Sequence, residues 1–138
     1  MLEDSTAALD QRLLAAYMST QYWIGWPDEN GSFVTIGSTE SAFINFLHQE
    51  NIGNFVIITA SNPFSQMLDE KENMKRNKAL KEELLGRTTL LLTARNISHD
   101  GSWPVEHGFC AAGILEAVAT GLGRRFGQNA VVWWQGMT

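Results

Sequence analysis

Asn73 and Asn77 stand four residues apart and head a stripe that continues through Leu80 and Leu84. At i, i+4, i+7 and i+11 these four side chains share one face of a helix. The leucines anchor that face in a core, which turns both amides inward or into a cleft at the start of the helix. Asn is a poor helix former, and its amide is costly to bury without partners. Two of them on a core-facing stripe call for hydrogen-bonding groups close by. One reading has them tie down the preceding loop through Ser61 and Asn62. The other has them face a ligand.

Ser61 and Asn62 follow Phe55 to Ala60, an apolar run typical of a strand covered on both faces. The crevice beyond the carboxyl ends of such strands is the usual ligand location in open sheets. A helix N-terminus there adds N–H donors that suit an anion. The plainer alternative for Ser61-Asn62-Pro63 is a turn that closes the strand. Arg76 adjoins Asn77 and flanks the same cleft, or else belongs to a solvated run of interleaved Lys and Glu. Glu106, after Trp103-Pro104-Val105, is the candidate catalytic group. Its carboxylate suits an amine or hydroxyl of a substrate, or general acid–base work, and equally suits structural donors. Arg125, Gln128 and Asn129 surround the end of the last predicted helix. The arginine suits the helix C-terminus or an anionic ligand, and the two amides suit a turn or a ligand.

His99, Asp100 and His107 lie near Glu106, but their spacing matches no metal cluster, so no metal site is expected and any cofactor is unknown. Cys110 lies within Phe109 to Ile114 and reads as a small buried hydrophobe. Neither glycine-rich phosphate-binding pattern is present.

The elements that position these residues follow from periodicity and punctuation. Residues 5–18 have helical spacing. Residues 21–26 and 32–37 flank a turn-rich loop and predict a hairpin whose second strand ends at Gly37. Ser38 is predicted to cap a helix running to about His48. A strand over 55–60 precedes a helix that starts at Asp69, with Glu72 completing a capping box, and stops before Gly86. Strands follow over 88–94 and 107–112, separated by a polar loop over 96–104. A helix over 114–126 ends at Gly127, and a last strand covers 130–134. The expected architecture is α+β: a single globular domain over 1–138, with a mixed sheet of about five or six strands packed by about four helices. A three-layer α/β sandwich is its close rival.

The chain has 138 residues, of which 44% are hydrophobic, only 18% are charged, and five are Trp. That composition excludes a disordered acidic tail or a polycationic nucleic-acid coat. A lone cysteine excludes an internal disulfide and suggests the cytoplasm. The first ten residues lack Lys and Arg, and no apolar run is long enough for a membrane span. Residues 1–50 hold seven acids and one base, while residues 51–138 hold eight acids and nine bases. Duplex binding through phosphates has no footprint in the first third.

An ordered set of short motifs runs through the chain: Tyr17, Thr20 and Tyr22; Ile58 to Ser65; Glu72, Asn73, Arg76, Asn77 and Leu80; Glu106 after Trp103-Pro104; and Arg125 to Ala130. Together they resemble the bacterial family catalogued as domain of unknown function 3293, over nearly the whole chain. The resemblance implies a small single-domain bacterial protein and carries no established activity. It directs attention to Asn62, Asn73, Arg76, Asn77, Glu106, Gln128 and Asn129. Ser61 stands where the family more often has Trp, and His107-Gly108 where it usually has small residues.

Three functions compete. The first is a small-molecule-binding or enzymatic domain, with Ser61, Asn62, Asn73, Asn77 and Glu106 around a polar or anionic ligand and Arg76 or Arg125 for its charge. It requires Glu106 to lie close to Asn73 and Asn77. The second is a non-catalytic protein-interaction or regulatory module, its partner held by the Trp-rich hairpin or by Trp133-Trp134. Single-stranded nucleic-acid binding is the weakest of the three, because acids interrupt the basic run over 71–81.

Overall fold

The computed structural model describes residues 2–3, 20–35, 38–39 and 41–136. The strands are β1 (Leu2–Glu3), β2 (Gln21–Ile24), β3 (Ser32–Thr35), β4 (Ser38–Thr39), β5 (Asn54–Ile58), β6 (Leu90–Ile97), β7 (Glu106–Ala112) and β8 (Val131–Gln135). They form one sheet in the order β1-β8-β5-β7-β6-β2-β3-β4, with two-residue segments at both edges. The helices are α1 (Ser41–Gln49), α2 (Glu70–Leu85) and α3 (Glu116–Arg125). The expected helix over 5–18 lies outside the described residues, which hold three α-helices where about four were expected overall.

The class is α+β, but the sheet is antiparallel at every pair, not mixed. The reason lies in the crossovers. β5 leads through α2 to β6, and β7 inserts between them. β7 leads through α3 to β8, and β5 inserts between those. Strands joined by a helix run parallel, yet they never become neighbours. The result is a β-α-β-β-α-β unit of the split, ferredoxin-like kind, extended on one side by the hairpin β2–β3.

Strand alternation sorts the core into two halves. Val56, Ile58, Phe109, Ala111, Val131 and Trp133 pack under α2 and α3, meeting Leu80, Leu84, Ala119, Leu122 and Phe126. Phe55, Ile57, Cys110, Ala112 and Val132 face the other way, toward Phe43 and Leu47 of α1. The sheet interior is thus covered by helices on both faces, which accounts for the unbroken apolar run in β5. Burial pushes the Cys110 thiol well above its ordinary pKa, so it stays protonated and is a packing group.

Two expectations fail locally. Ser38 is a strand residue and not the start of the helix: Ser38 and Thr39 pair with Thr35 and Val34, and the helix starts at Ser41. The strand expected to end at residue 94 continues to Ile97, because β6 is paired on both sides, with β7 and with β2. Asn96 therefore belongs to the sheet.

The tryptophans proposed for an interface are largely folded in. Trp23 is buried and donates its indole N–H to Asn30 O at 3.1 Å, with Arg95 stacked on its ring at 4.4 Å. Trp26 packs on Phe43 and Phe46 at 5.3 and 5.0 Å, and Trp134 stacks on Phe55 at 5.3 Å. Trp133 is buried.

Candidate functional site

The loop between β5 and α2 carries the most unusual backbone among the described residues. Asn62, Phe64 and Ser65 have φ of 47°, 54° and 58°. Asn tolerates the left-handed region, but a bulky Phe there is an outlier. Such conformations cost on the order of 1–3 kcal/mol each and persist only where surrounding structure imposes them. The imposing structure is a connected set of amides.

Asn77, 9% exposed, uses both ends of its amide. Oδ1 accepts from Ala60 N–H at 2.8 Å, and Nδ2 donates to Ser61 Oγ at 2.9 Å and to His107 O at 3.0 Å. Thr59 Oγ1 also donates to that carbonyl, at 2.7 Å, and accepts from Ser61 N–H at 3.0 Å. One turn earlier on α2, Asn73 Oδ1 accepts from Asn62 N–H at 2.8 Å, and its Nδ2 donates to Asn62 Oδ1 at 2.9 Å. Asn62 Oδ1 also accepts from Leu68 N–H at 2.8 Å. The helix that carries both amides is started by Asp69, whose carboxylate accepts from Glu72 N–H at 2.8 Å.

The far side of the loop is held by the end of α3. Gly127, at φ 72°, closes that helix in a Schellman turn, with its N–H on Arg124 O and Gln128 N–H on Gly123 O. Phe64 N–H then donates to Gly127 O at 2.6 Å. Gln128 Nε2 donates to Ser61 O at 3.1 Å, and Asn129 Nδ2 to Ser65 Oγ at 2.8 Å. Arg76 Nε donates to Ala60 O at 2.7 Å, and its Nη2 donates to Phe126 O. These two bonds join the end of β5 to the end of α3.

The amide chain ends on a carboxylate. Asn62 Nδ2 donates to Glu106 Oε2 at 2.7 Å, and the Trp103 indole N–H reaches the same oxygen at 2.8 Å. Glu106 is partly buried, and among the described residues no cation lies within ion-pair range of it. Its other oxygen, Oε1, has no protein partner there. Glu106 thus meets Asn73 through one shared residue, Asn62, and Asn77 through Ser61 and the strand β7.

The sequence-derived candidates therefore separate by position. Ser61, Asn62, Asn73, Arg76, Asn77, Gln128 and Asn129 all bond to or within the 60–66 loop and its anchors, and Glu106 stands at the open end. Arg125 is elsewhere: its Nη1 pairs with Glu83 at 2.8 Å, on a side chain 63% exposed, and joins α3 to α2. His99 and Asp100 stay in the β6–β7 loop, where Ser102 bonds hold the Asp100 carboxyl below its usual range. No group of His, Cys, Asp and Glu that would hold a metal ion occurs among the described residues. Two residues beside Glu106 escape sequence reading, Trp103 and Asn96. The first acts through a loop whose path has no periodicity. The second lies in the unexpected extension of β6, directly opposite Glu106.

Residues 58–131, more than half of the chain, match the family described as Protein of unknown function (DUF3293). The chain belongs to that family. No curated protein and no solved structure matches it significantly. The DUF3293 match runs from the end of β5 to the start of β8. It spans every bond of the 60–66 loop and of Glu106, from Thr59 to Asn129, and omits α1 and the hairpin. The Tyr17, Thr20 and Tyr22 motif lies outside the matched span, and Tyr17 outside the described residues. No described helix is long and apolar enough to cross a membrane.

Proposed function

We propose that this DUF3293 domain binds a small polar molecule and receives it at Glu106. One observation carries the reading: a strained loop is held by amides whose chain of hydrogen bonds terminates on a partly buried carboxylate with one oxygen still unpaired. That oxygen is not among the buried atoms lacking a partner, so solvent reaches it and a ligand would too. Orientation by two neutral donors fixes the carboxylate without neutralising it, which is what a ligand-binding or proton-exchanging group needs. The same oxygen would exchange a proton with a bound hydroxyl or amine, so an enzyme and a binding protein share this first step. A cytoplasmic setting belongs to the same proposal, in keeping with the lone buried Cys110, and a bacterial source belongs to it through the family resemblance alone.

Glu106→Gln tests it. The amide oxygen of Gln still accepts from Asn62 and Trp103, so the unliganded variant should unfold within about 1 kcal/mol of wild type. In thermal-shift measurements over a panel of small polar compounds, those that raise the wild-type melting temperature should fail to raise that of the variant. Compounds that stabilise both proteins equally would place the ligand elsewhere.

A further inference from the structure

Asn96 of β6 and Glu106 of β7 are direct cross-strand partners, and Tyr22 of β2 is next in the same row. Opposed residues of an antiparallel pair project to one face with Cβ atoms about 4.5–5.5 Å apart. The Asn96 amide oxygen is buried and has no hydrogen-bond partner. Native proteins seldom leave a buried acceptor orphaned, because its lost hydration is not recovered. Beside it stands the Glu106 carboxylate, whose Oε2 is held by Asn62 and Trp103. Two acceptors on one face, one of them a carboxylate already held by an indole N–H, are complementary to a donor that is also positive.

We propose that Asn96 Oδ1 and Glu106 Oε1 together bind a cationic nitrogen group, the ammonium or guanidinium head of a small ligand. This rests on the reading of Glu106 as the ligand acceptor; it adds Asn96 as a binding residue and names the ligand class. The competing class, an anion, needs free cations at the site. Arg76 is bonded to two backbone carbonyls and Arg125 is paired with Glu83.

The experiment is calorimetric titration of the full chain with agmatine, putrescine and, as anionic counterpart, glutarate. Wild type should bind agmatine or putrescine saturably and glutarate not at all. Both Asn96→Leu and Glu106→Gln should weaken cation binding by about tenfold or more. Asn96→Leu should also melt no lower than wild type, since a near-isosteric apolar side chain removes the orphaned acceptor. An amide that serves only the fold would give the reverse, a lower melting temperature with unchanged cation binding, and would overturn the inference. So would two cations that fail to bind wild type, or that bind it no better than the variants. Glutarate binding that depends on Glu106 would overturn the cationic class while leaving Glu106 as the acceptor. If no compound of any charge distinguishes wild type from Glu106→Gln, the proposed function falls with it.

Discussion

Asn77→Ala should destabilise the fold by about 3 kcal/mol, lowering the melting temperature by about 10 °C. The side chain lies at the join of α2, β5 and β7, where its amide oxygen and nitrogen serve three partners. Truncation leaves the Ala60 N–H without its acceptor. It also removes one donor from Ser61 Oγ and one from His107 O, although Thr59 still reaches that carbonyl. The unpaired Ala60 N–H therefore dominates, with the cavity left by a buried side chain adding to it. Asn77→Asp separates the contributions. It keeps the acceptor for Ala60 and loses both donations, while bringing a negative charge close to a backbone carbonyl. Urea denaturation of the three proteins should order them wild type, then the milder loss of one function, then the full truncation, if the carboxyl protonates; near neutral pH Asp should be no better than Ala.

Gly108→Ala should be at least as damaging, by about 3 kcal/mol or more. A Cβ at this position would meet Ile58 O at 2.5 Å, Thr59 Cβ at 2.9 Å and Thr59 Cα at 3.0 Å. These atoms belong to the end of β5 and its continuation, which Asn77 and Arg76 hold through Ala60. Relief by movement would therefore disturb the loop that carries Asn62. Gly121→Ala is the control. It lies in α3 with nothing within 4 Å of the added carbon, so better helix propensity should stabilise the protein by about 0.5–1 kcal/mol. Equal denaturation midpoints for Gly108→Ala and wild type would show that the strands can separate at no cost.

The sequence makes the anchoring helix legible because helical periodicity is local. Asn73, Asn77, Leu80 and Leu84 share a face whatever surrounds them, and Asp69 marks where the helix starts. It also announces that the two amides need partners, and the loop through Ser61 and Asn62 supplies them. The parts that stay hidden depend on strands meeting strands. That β7 enters between β5 and β6 is a choice of neighbours, invisible to any single segment's pattern, and it turns an expected mixed sheet into an antiparallel one. The same pairing lengthens β6 to Ile97 and places Asn96 opposite Glu106, where composition alone suggests a polar loop. Arg125 shows what proximity in sequence leaves open. Its position one residue before Phe126 and three before Gln128 suggests company with the site, yet at the end of α3 its side chain turns to Glu83 of α2.

The central claim is that Glu106, braced by Asn62 and Trp103, is where a ligand docks. The Trp103 indole N–H reports on that carboxylate directly, because it donates to Oε2 at 2.8 Å. Its proton resonance, followed by NMR during titration with agmatine, should shift and saturate in the wild type and stay unmoved in Glu106→Gln. An indole resonance that ignores agmatine in the wild type, or moves alike in both proteins, would contradict the account.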